Sequence, residues 1–229
     1  HIRPVCVDHI PEIDDCLVVD AEEIRRLLSL SGIRVISMPG GGSSWADIME
    51  APSAALNVVV RDELGLSLAK QMERDFGIPY VSCGLPYGTD GTMGWLSEIT
   101  EKLGAGELTR AEQEAAKLKE FLLRKGNNLE SLWGPLWFDA VLISAPPSEA
   151  LGIAETIRSE WIDTARLVIH APCATEKTTP AADAIRIVMK NEKEITKDYE
   201  DWQGGLILAS SHETHLLTRM GKPFTGFHI

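Results

Sequence analysis

A glycine-rich segment, residues 39–44 (PGGGSS), holds the first candidate ligand-binding residues, Gly40, Gly41 and Gly42. It follows a β-rich run and precedes a short predicted helix, so its backbone amides could cradle an anion at a helix N-terminus. The segment matches neither the GxGxxG pattern of dinucleotide-binding turns nor the GxxxxGK[ST] pattern of P-loops. The alternative is an ordinary turn with Ser44 as the helix N-cap, and the sequence favours that alternative.

A second candidate segment, residues 210–215 (SSHETH), also follows a β-rich run and places His212 and His215 three positions apart at a predicted helix start. Two histidines at this spacing could share a metal with a third ligand, but the HExxH pattern of zinc enzymes is absent. The simpler interpretation makes them polar first-turn residues and puts Glu213 beside the positive end of the helix dipole. We predict no metal site in the chain. Because His212 and Glu213 follow a predicted strand end, where α/β sheets place their ligand sites, we nevertheless take them as candidate cofactor-binding residues.

The four cysteines, Cys6, Cys16, Cys83 and Cys173, are far apart and form no CxxC pair. This spacing argues against a zinc site and against a disulfide framework, so we expect reduced and mostly structural thiols. Cys173 follows a predicted strand end, where α/β sheets place their ligand sites, which leaves a redox or nucleophilic role open for that thiol.

Strand and helix patterns alternate along the chain, which predicts parallel strands joined by helical crossovers. The pattern restarts after a long charged helix, so we predict an α/β fold of two Rossmann-like units, with mostly parallel sheets flanked by helices. The predicted domains are residues 1–105, a connecting helix and linker at 106–134, and residues 135–229, the last of these C-terminally truncated. The predicted strands are 33–36, 56–60, 78–82, 140–144, 166–170 and 205–209; the predicted helices are 20–31, 45–49, 64–76, 108–123, 149–160, 181–189, 192–201 and 212–220.

Charge and hydropathy exclude two classes of partner. The formal net charge is −12, and no cluster of Lys and Arg offers the basic face that a nucleic acid requires. No apolar run reaches the roughly 20 residues that span a bilayer, so we expect no membrane association and a cytoplasmic location. A content of 44% hydrophobic residues is enough for a buried core.

One ordered set of short motifs is more informative than any single candidate. It runs from AALNVVV (54–60) through FGIPY (76–80) and LPYGT (85–89) to residues 92–99, and it resumes with LILASS (206–211) and MGKPF (220–224). The set resembles the nitrogenase component 1 type oxidoreductases, a family that includes nitrogenase subunits, cofactor-scaffold proteins and dark protochlorophyllide reductase. The resemblance covers nearly the whole chain, and it implies that the chain is the middle of a longer subunit or a degenerate relative.

The resemblance implies a function in electron transfer. Members of the family work as paired homologous subunits that receive electrons from a separate ATP-dependent iron–sulfur reductase. They pass these electrons through a cluster to a cofactor or tetrapyrrole substrate held between α/β units. By the same resemblance, we expect an iron–sulfur cluster in the parent assembly, with its ligands outside this fragment and none in the fragment alone.

The sequence departs from the family pattern at the position of a cluster ligand. Catalytic nitrogenase subunits have a cofactor-ligating cysteine before the helix that ends in FGIPY, and here that position is Arg61. Arginine cannot ligate iron, but it suits an anionic ligand such as a carboxylated tetrapyrrole or organic acid. His228 falls near the position of a cofactor histidine, although other members have a plain strand there. Arg61 is therefore a candidate ligand-binding residue.

Two other functions remain open. The chain could belong to a non-catalytic scaffold that holds a cofactor precursor without turnover, and cluster-ligating cysteines in the parent would argue against this alternative. A periplasmic-type small-molecule binder also has two α/β units beside a cleft, but it would need a cleavable signal and a multiple-crossover hinge.

Overall fold

The computed structural model describes residues 4–8, 16–133, 137–161, 163–170, 185–188, 192–202, 205–210, 213–222 and 224–227. The chain divides into two compact units, His1–Arg124 and Lys125–Ile229. Each unit contains a parallel sheet flanked by helices, as the alternating pattern predicted. No helix in the described ranges is long and apolar enough to cross a membrane.

The first unit is built on a four-stranded sheet in the order β2-β1-β3-β4, and every adjacent pair is parallel. The order reverses between β1 and β3, and α/β sheets bind ligands outside the carboxyl ends of strands at such a switch point. Its elements are β1 (Pro4–Asp8), α1 (Cys16–Leu30), β2 (Arg34–Ser37), α2 (Trp45–Glu50), a 3-10 turn (Ala51–Ser53), β3 (Leu56–Val59), α3 (Asp62–Phe76), β4 (Tyr80–Ser82), α4 (Thr89–Leu103) and the part of α5 (Thr109–Trp133) that ends at Arg124.

Both faces of the first sheet are covered, which explains why β3 is an unbroken buried run. Leu56 and Val58 of β3 pack on one face with Leu28 of α1 and Leu96 of α4. On the other face, Met72 of α3 belongs to a smaller cluster. The helix α3 ends where the sequence predicts, because Gly77 adopts left-handed backbone angles that favour glycine, and Gly104 ends α4 in the same way.

The second unit is built on a five-stranded parallel sheet in the order β7-β6-β5-β8-β9. This order has the Rossmann pattern, with its switch point between β5 and β8. Its core packs Leu142, Ile207 and Leu217 with Tyr199 and Trp202. The elements are β5 (Trp137–Ser144), α6 (Pro147–Thr156), a π-helical turn (Ile157–Trp161), β6 (Asp163–His170), β7 (Ile185–Val188), α7 (Glu192–Asp201), β8 (Leu206–Ser210), α8 (Thr214–Met220) and β9 (Phe224–Phe227).

Three predicted helix boundaries are wrong. The first helix begins at Cys16, four residues before the predicted start at residue 20. The long helix continues through Gly126 to Trp133, since an isolated glycine costs a helix only about 1 kcal/mol. The helix α6 begins at Pro147, two residues before the predicted start at residue 149, and its N-cap residue is Pro146.

One predicted helix is a strand over its described residues. Residues 181–189 contain alanine and methionine, which favour a helix, but Ile185–Val188 forms β7. This strand pairs in register with Leu167–His170 of β6. Its isoleucines and valine are β-branched and fit a pleated edge, and pairing with β6 overrides the local helix preference.

Candidate functional site

The glycine turn follows β2 and is held by a hydrogen bond within the turn and by one from α1. The amide of Gly41 donates to the carbonyl of Met38 (2.8 Å), and the guanidinium of Arg25 donates to the carbonyl of Gly41 (3.0 Å). Gly40 and Gly42 have φ of 80° and 83°, and a Cβ on Gly41 would lie 2.5 Å from the sulfur of Met38. The glycines thus meet backbone and packing requirements of a tight turn.

The helix after this turn is capped by its own side chains. The Ser44 hydroxyl accepts from the amide of Asp47 (3.2 Å), and the Asp47 carboxylate accepts from the amide of Ser44 (2.7 Å). This reciprocal pair is a capping box, so Ser44 is the predicted N-cap. These bonds also hold the pKa of Asp47 below its usual value, the hydroxyl contributing most. Binding by Gly40, Gly41 and Gly42 stays a prediction, and the geometry favours the structural role.

Arg61 lies at the carboxyl end of β3, one of the two strands that flank the first switch point. Only 6% of Arg61 is exposed, and its backbone carbonyl accepts from the amides of Leu64 and Gly65 at the start of α3. Its guanidinium also acts on Asp20 of α1: burial raises the pKa of Asp20, and the charge of Arg61 opposes that increase. A permanent cation is therefore fixed at the sheet edge where ligands of α/β proteins bind.

Glu213 lies three residues beyond β8, at the switch point of the second sheet. Its carboxylate oxygen Oε1 accepts from the hydroxyl of Ser144, at the end of β5 (2.9 Å), and from the hydroxyl of Tyr199 on α7. Tyr199 is completely buried, which raises its pKa, and the negative charge of Glu213 raises it further. Tyr199 is thus a neutral donor that holds one carboxylate oxygen in place.

His170 adds a second polar contact between the same helix and the same sheet edge. It ends β6, is 1% exposed, and its Nε2 lies 3.0 Å from the carboxylate of Asp198 on α7. The rings of His170 and Tyr199 lie 5.9 Å apart between centroids. Two consecutive α7 residues therefore contact the carboxyl ends of the central strands, Asp198 through His170 and Tyr199 through Glu213.

The sequence did not single out Ser144, His170 or Tyr199 for this edge. Tyr199 lies in the acidic predicted helix 192–201, in which the sequence indicated no candidate residue, and the partners of Glu213 are 14 and 69 residues away in the chain. The strand-end rule could have found Ser144 and His170, since each ends a predicted strand. His212, Cys173 and His228 lie outside the described residues.

The described residues do not form a cage for a metal cluster. Within the described ranges, no group of three or more His, Cys, Asp or Glu side chains could hold a metal ion. Cys83 is a free thiol whose pKa is raised, chiefly by burial, so it is not activated as a thiolate. Arg61 occupies the position that the resemblance assigns to a cluster cysteine, and the described part of the site does not fit a thiolate-bound cluster.

Comparisons with known proteins identify the family. The family model of the nitrogenase component 1 type oxidoreductases matches residues 10–229. The chain is 35% identical over 108 residues to the nitrogenase iron-molybdenum cofactor biosynthesis protein NifE of Clostridium pasteurianum, covering 47% of this chain and 22% of that protein. It is 28% identical over 212 residues to NifE of Nostoc sp., covering 86% of this chain and 42% of that protein.

A second group of relatives and a solved structure agree with this match. The chain is 28% identical over 212 residues to the B subunit of the light-independent protochlorophyllide reductase of Prochlorococcus marinus, covering 89% of this chain and 38% of that protein. A structure of nitrogenase Cp1 has the same fold, with a TM-score of 0.75 at 13% identity over 100% of this chain and 53% of that one. The chain thus spans about half or less of each relative's length. It belongs to the nitrogenase component 1 type oxidoreductase family.

Proposed function

We propose that this chain is part of a nitrogenase component 1-like oxidoreductase subunit that accepts electrons from an ATP-dependent iron–sulfur reductase. In this proposal the chain helps to hold a metal cluster or a tetrapyrrole-like substrate, and it works in the cytoplasm with a homologous partner subunit. Family membership supports the general class of activity. The similarity to NifE and to the protochlorophyllide reductase B subunit supports the two kinds of bound group.

The observation that carries the proposal is the buried guanidinium of Arg61 at the carboxyl end of β3. A buried guanidinium is a permanent positive charge with a planar set of N–H donors, so such a position is suited to holding a negative group. A guanidinium binds a carboxylate through two parallel hydrogen bonds. We infer that the first unit contributes an anion-binding wall, and that an anionic ligand such as a carboxylated tetrapyrrole or organic acid is its target.

The second unit contributes a carboxylate. The hydroxyls of Tyr199 and Ser144 both donate to one oxygen of Glu213, so the side chain is oriented before a ligand arrives. We propose that Glu213, with the neighbouring His212, contacts a bound group at the β5–β8 switch point. Gly40, Gly41 and Gly42 complete the proposed set as residues that shape the carboxyl edge of the first sheet.

The iron–sulfur cluster belongs to the parent assembly in this proposal. The described residues provide no cluster cage, so we assign the cluster ligands to other parts of the subunit or to its partner and derive no redox step from this chain. What these residues supply is binding, burial and electrostatics around a group that carries the chemistry.

A non-catalytic scaffold is the second candidate function. It is favoured by the 28% identity to a cofactor biosynthesis protein across 86% of this chain, and by Arg61 in place of a ligating cysteine. A scaffold would bind its ligand through residues such as Arg61 or Glu213 without turnover. Electron acceptance by the parent protein separates the two functions.

The anion-binding role of Arg61 can be tested with a pair of matched ligands. Protochlorophyllide carries a free carboxylate, and its methyl ester lacks that charge but keeps the macrocycle. With the full-length protein and its partner subunit, we expect the acid to bind more tightly than the ester. Arg61→Ala should weaken binding of the acid by about tenfold or more, since a charge-assisted hydrogen bond contributes about 1.5–3 kcal/mol. Arg61→Lys should give an intermediate loss, because it keeps the charge without the bidentate geometry.

The ester and a second arginine serve as controls. Loss of folding in Arg61→Ala would weaken the binding of both ligands, whereas loss of one charge contact would weaken only the binding of the acid. Arg74→Ala removes an exposed arginine from the end of α3 and should change neither affinity. Equal affinities of Arg61→Ala and the unmodified protein for the acid would contradict the proposed role, and citrate in place of the tetrapyrrole would test a small organic acid in the same way.

A further inference from the structure

The first unit contains a cavity of about 220 Å³ that the proposed function does not use. It lies where α1, α4, α5 and the loop after β4 meet. Its walls are apolar, and an engineered apolar cavity of roughly 150 Å³ is already large enough to bind benzene. The space therefore accommodates one substituted ring or a short branched chain. The main wall residues are Ile24, Leu27, Leu30, Leu85, Met93 and Leu96.

Acidic side chains from two helices stand at the mouth of this cavity. Asp20 and Glu23 come from α1, and Glu114 comes from α5. Among the described residues that line the cavity, Arg26 carries the one positive charge. Its guanidinium is engaged by both glutamates, at 2.6 Å from Glu23 and 2.7 Å from Glu114. Three carboxylates against one engaged guanidinium leave an excess of negative charge.

Asp20 is the carboxylate at the mouth that takes no part in these ion pairs with Arg26. Partial burial raises the pKa of Asp20, and the charge of Arg61 lowers it. Arg61 does not line the cavity, and its charge reduces the local excess without cancelling it. The whole chain carries a net charge of −12, which also favours cations over anions in its surroundings.

We propose that this cavity binds a small apolar cation, namely a primary amine or related ammonium compound with one ring or a short branched chain. The apolar part enters between α1, α4 and α5, and the ammonium group stays at the mouth among Asp20, Glu23 and Glu114. A cationic group keeps part of its hydration there and gains the field of the carboxylates, whereas an anionic group would be repelled. This site is separate in its lining residues from Arg61 and Glu213.

The test compares three ligands of nearly equal shape with the 229-residue chain. The probes are 2-phenylethylammonium, the neutral 2-phenylethanol and the anionic phenylacetate, and their affinities are measured by ligand-observed NMR titration. With about nine non-hydrogen atoms, the ammonium should bind in about the millimolar range. It should bind about five- to tenfold more tightly than the alcohol at low salt, the carboxylate should not bind, and about 0.5 M salt should remove most of the difference.

Three variants separate charge from shape. Asp20→Asn should weaken binding of the ammonium compound about threefold or more and leave binding of the alcohol unchanged. Asp75→Asn removes an exposed carboxylate from α3, outside the cavity, and should change neither ligand. Ala115→Phe places a ring against the wall formed by α5 and should abolish binding of both.

Three results would overturn the proposal, and one measurement on the unmodified chain replaces a variant that does not fold. Equal affinity for the ammonium, the alcohol and the carboxylate would overturn the proposal, as would unchanged binding in Ala115→Phe. Absence of binding up to about ten times the expected dissociation constant would also overturn it. If Asp20→Asn is unfolded by circular dichroism, the salt dependence of the ammonium-to-alcohol ratio in the unmodified chain tests the same charge contribution.

Discussion

The carboxyl edges of the two sheets share a backbone plan but carry opposite chemistry. In the first unit, the strand beside the switch point is followed by the buried cation Arg61. In the second unit, the corresponding edge carries Glu213, whose carboxylate accepts from Tyr199 and Ser144. Parallel strand order thus supplies the position of each edge, whereas the side chains that follow the strands determine what it can bind.

The two edges also differ in the groups that surround their charges. Around Glu213, two hydroxyl donors and a His170–Asp198 contact join α7 to the ends of three strands. In the first unit, the charge of Arg61 acts on Asp20, whose pKa is raised by burial in spite of the arginine. We infer that the second edge presents an oriented carboxylate, whereas the first presents a buried cation that suits an anionic ligand.

The largest expected effect comes from the backbone that supports the second edge. Gly205 precedes β8 with φ of 78°, and a Cβ there would lie 1.9 Å from the carbonyl oxygen of Ala140 in β5. The clash is with backbone, so Gly205→Ala should lower the free energy of unfolding by about 3 kcal/mol or more.

Gly42→Ala is the matched change in the first unit. Gly42 also has a positive φ, of 83°, but a Cβ there meets nothing within 4 Å. Gly42→Ala should therefore lower the free energy of unfolding by only about 1 kcal/mol. Urea denaturation of both variants measures the two losses side by side. Equal losses for the two alanines would show that β5 and β8 tolerate separation at this point.

The next effect concerns the donor that orients Glu213. Tyr199→Phe removes one of two hydroxyls that donate to Oε1 and should cost about 2 kcal/mol of unfolding free energy, as expected for a buried hydrogen bond to a charged group. Tyr80→Phe, at a half-buried position of β4, is the control and should stay within about 0.5 kcal/mol. A double-mutant cycle with Glu213→Gln measures the coupling, and additive losses would mean that Tyr199 does not hold the carboxylate.

The same tyrosine gives the second edge a dependence on high pH. Burial, assisted by the charge of Glu213, raises the pKa of Tyr199 above its ordinary value of 10.0. A raised pKa means that this contribution to stability is complete below pH 10 and is lost as the pH rises further, because only the unfolded tyrosine ionises readily. Chemical denaturation at increasing pH should therefore show the advantage of the unmodified chain over Tyr199→Phe shrinking above about pH 10. A constant advantage would indicate that Tyr199 ionises in the folded state as it does in the unfolded state.

The smallest expected changes in stability come from substitutions of two aspartates in the first unit, Asp20 and Asp47. Burial raises the pKa of Asp20, so the folded state disfavours its charged form, and Asp20→Asn should slightly increase stability near neutral pH. The hydroxyl of Ser44 lowers the pKa of Asp47, so Asp47→Asn should decrease stability there. The difference in stability between Asp20→Asn and the unmodified chain should vanish below the ordinary aspartate pKa of 3.8. For Asp47 the stabilisation is present above 3.8 and is lost as the pH falls through the lower folded pKa.

Thermal unfolding at neutral and acidic pH measures both aspartate variants. Changes of the same sign at neutral pH would contradict the contrast between a desolvated carboxylate and a capping one.

Much of the fold was predictable because the strongest local signals agree with the tertiary structure. The run LNVVV is too short for a helix and becomes the buried strand β3, and Gly77 ends α3 through its left-handed conformation. The segment 185–188 was not predictable in this way, because its pairing with β6 decides between strand and helix. Likewise, Gly126 favours a helix end in the sequence, but α5 continues through it to Trp133, so the glycine alone does not determine where this helix ends.

The candidate site was predictable only where the chain marks it locally. Arg61 and Glu213 follow β-rich runs, and a parallel sheet brings such positions to one edge of each unit. Tyr199 carries no local sign of its role, since it comes from the last turn of an acidic helix and reaches Glu213 only through the packing of α7. A contact that depends on the packing of a separate helix cannot be read from periodicity.

Electron acceptance by the parent protein is the central claim, and its iron and acid-labile sulfide content tests it most directly. The full-length protein is purified anaerobically with its homologous partner subunit and is then mixed with an ATP-dependent iron–sulfur reductase. The account predicts about four iron atoms or more per pair, a thiolate-to-iron absorption band, and bleaching of that band only when ATP is present. Absence of iron after reconstitution, or a cluster that the reductase does not reduce, would contradict the oxidoreductase function and leave the scaffold as the function of this fold.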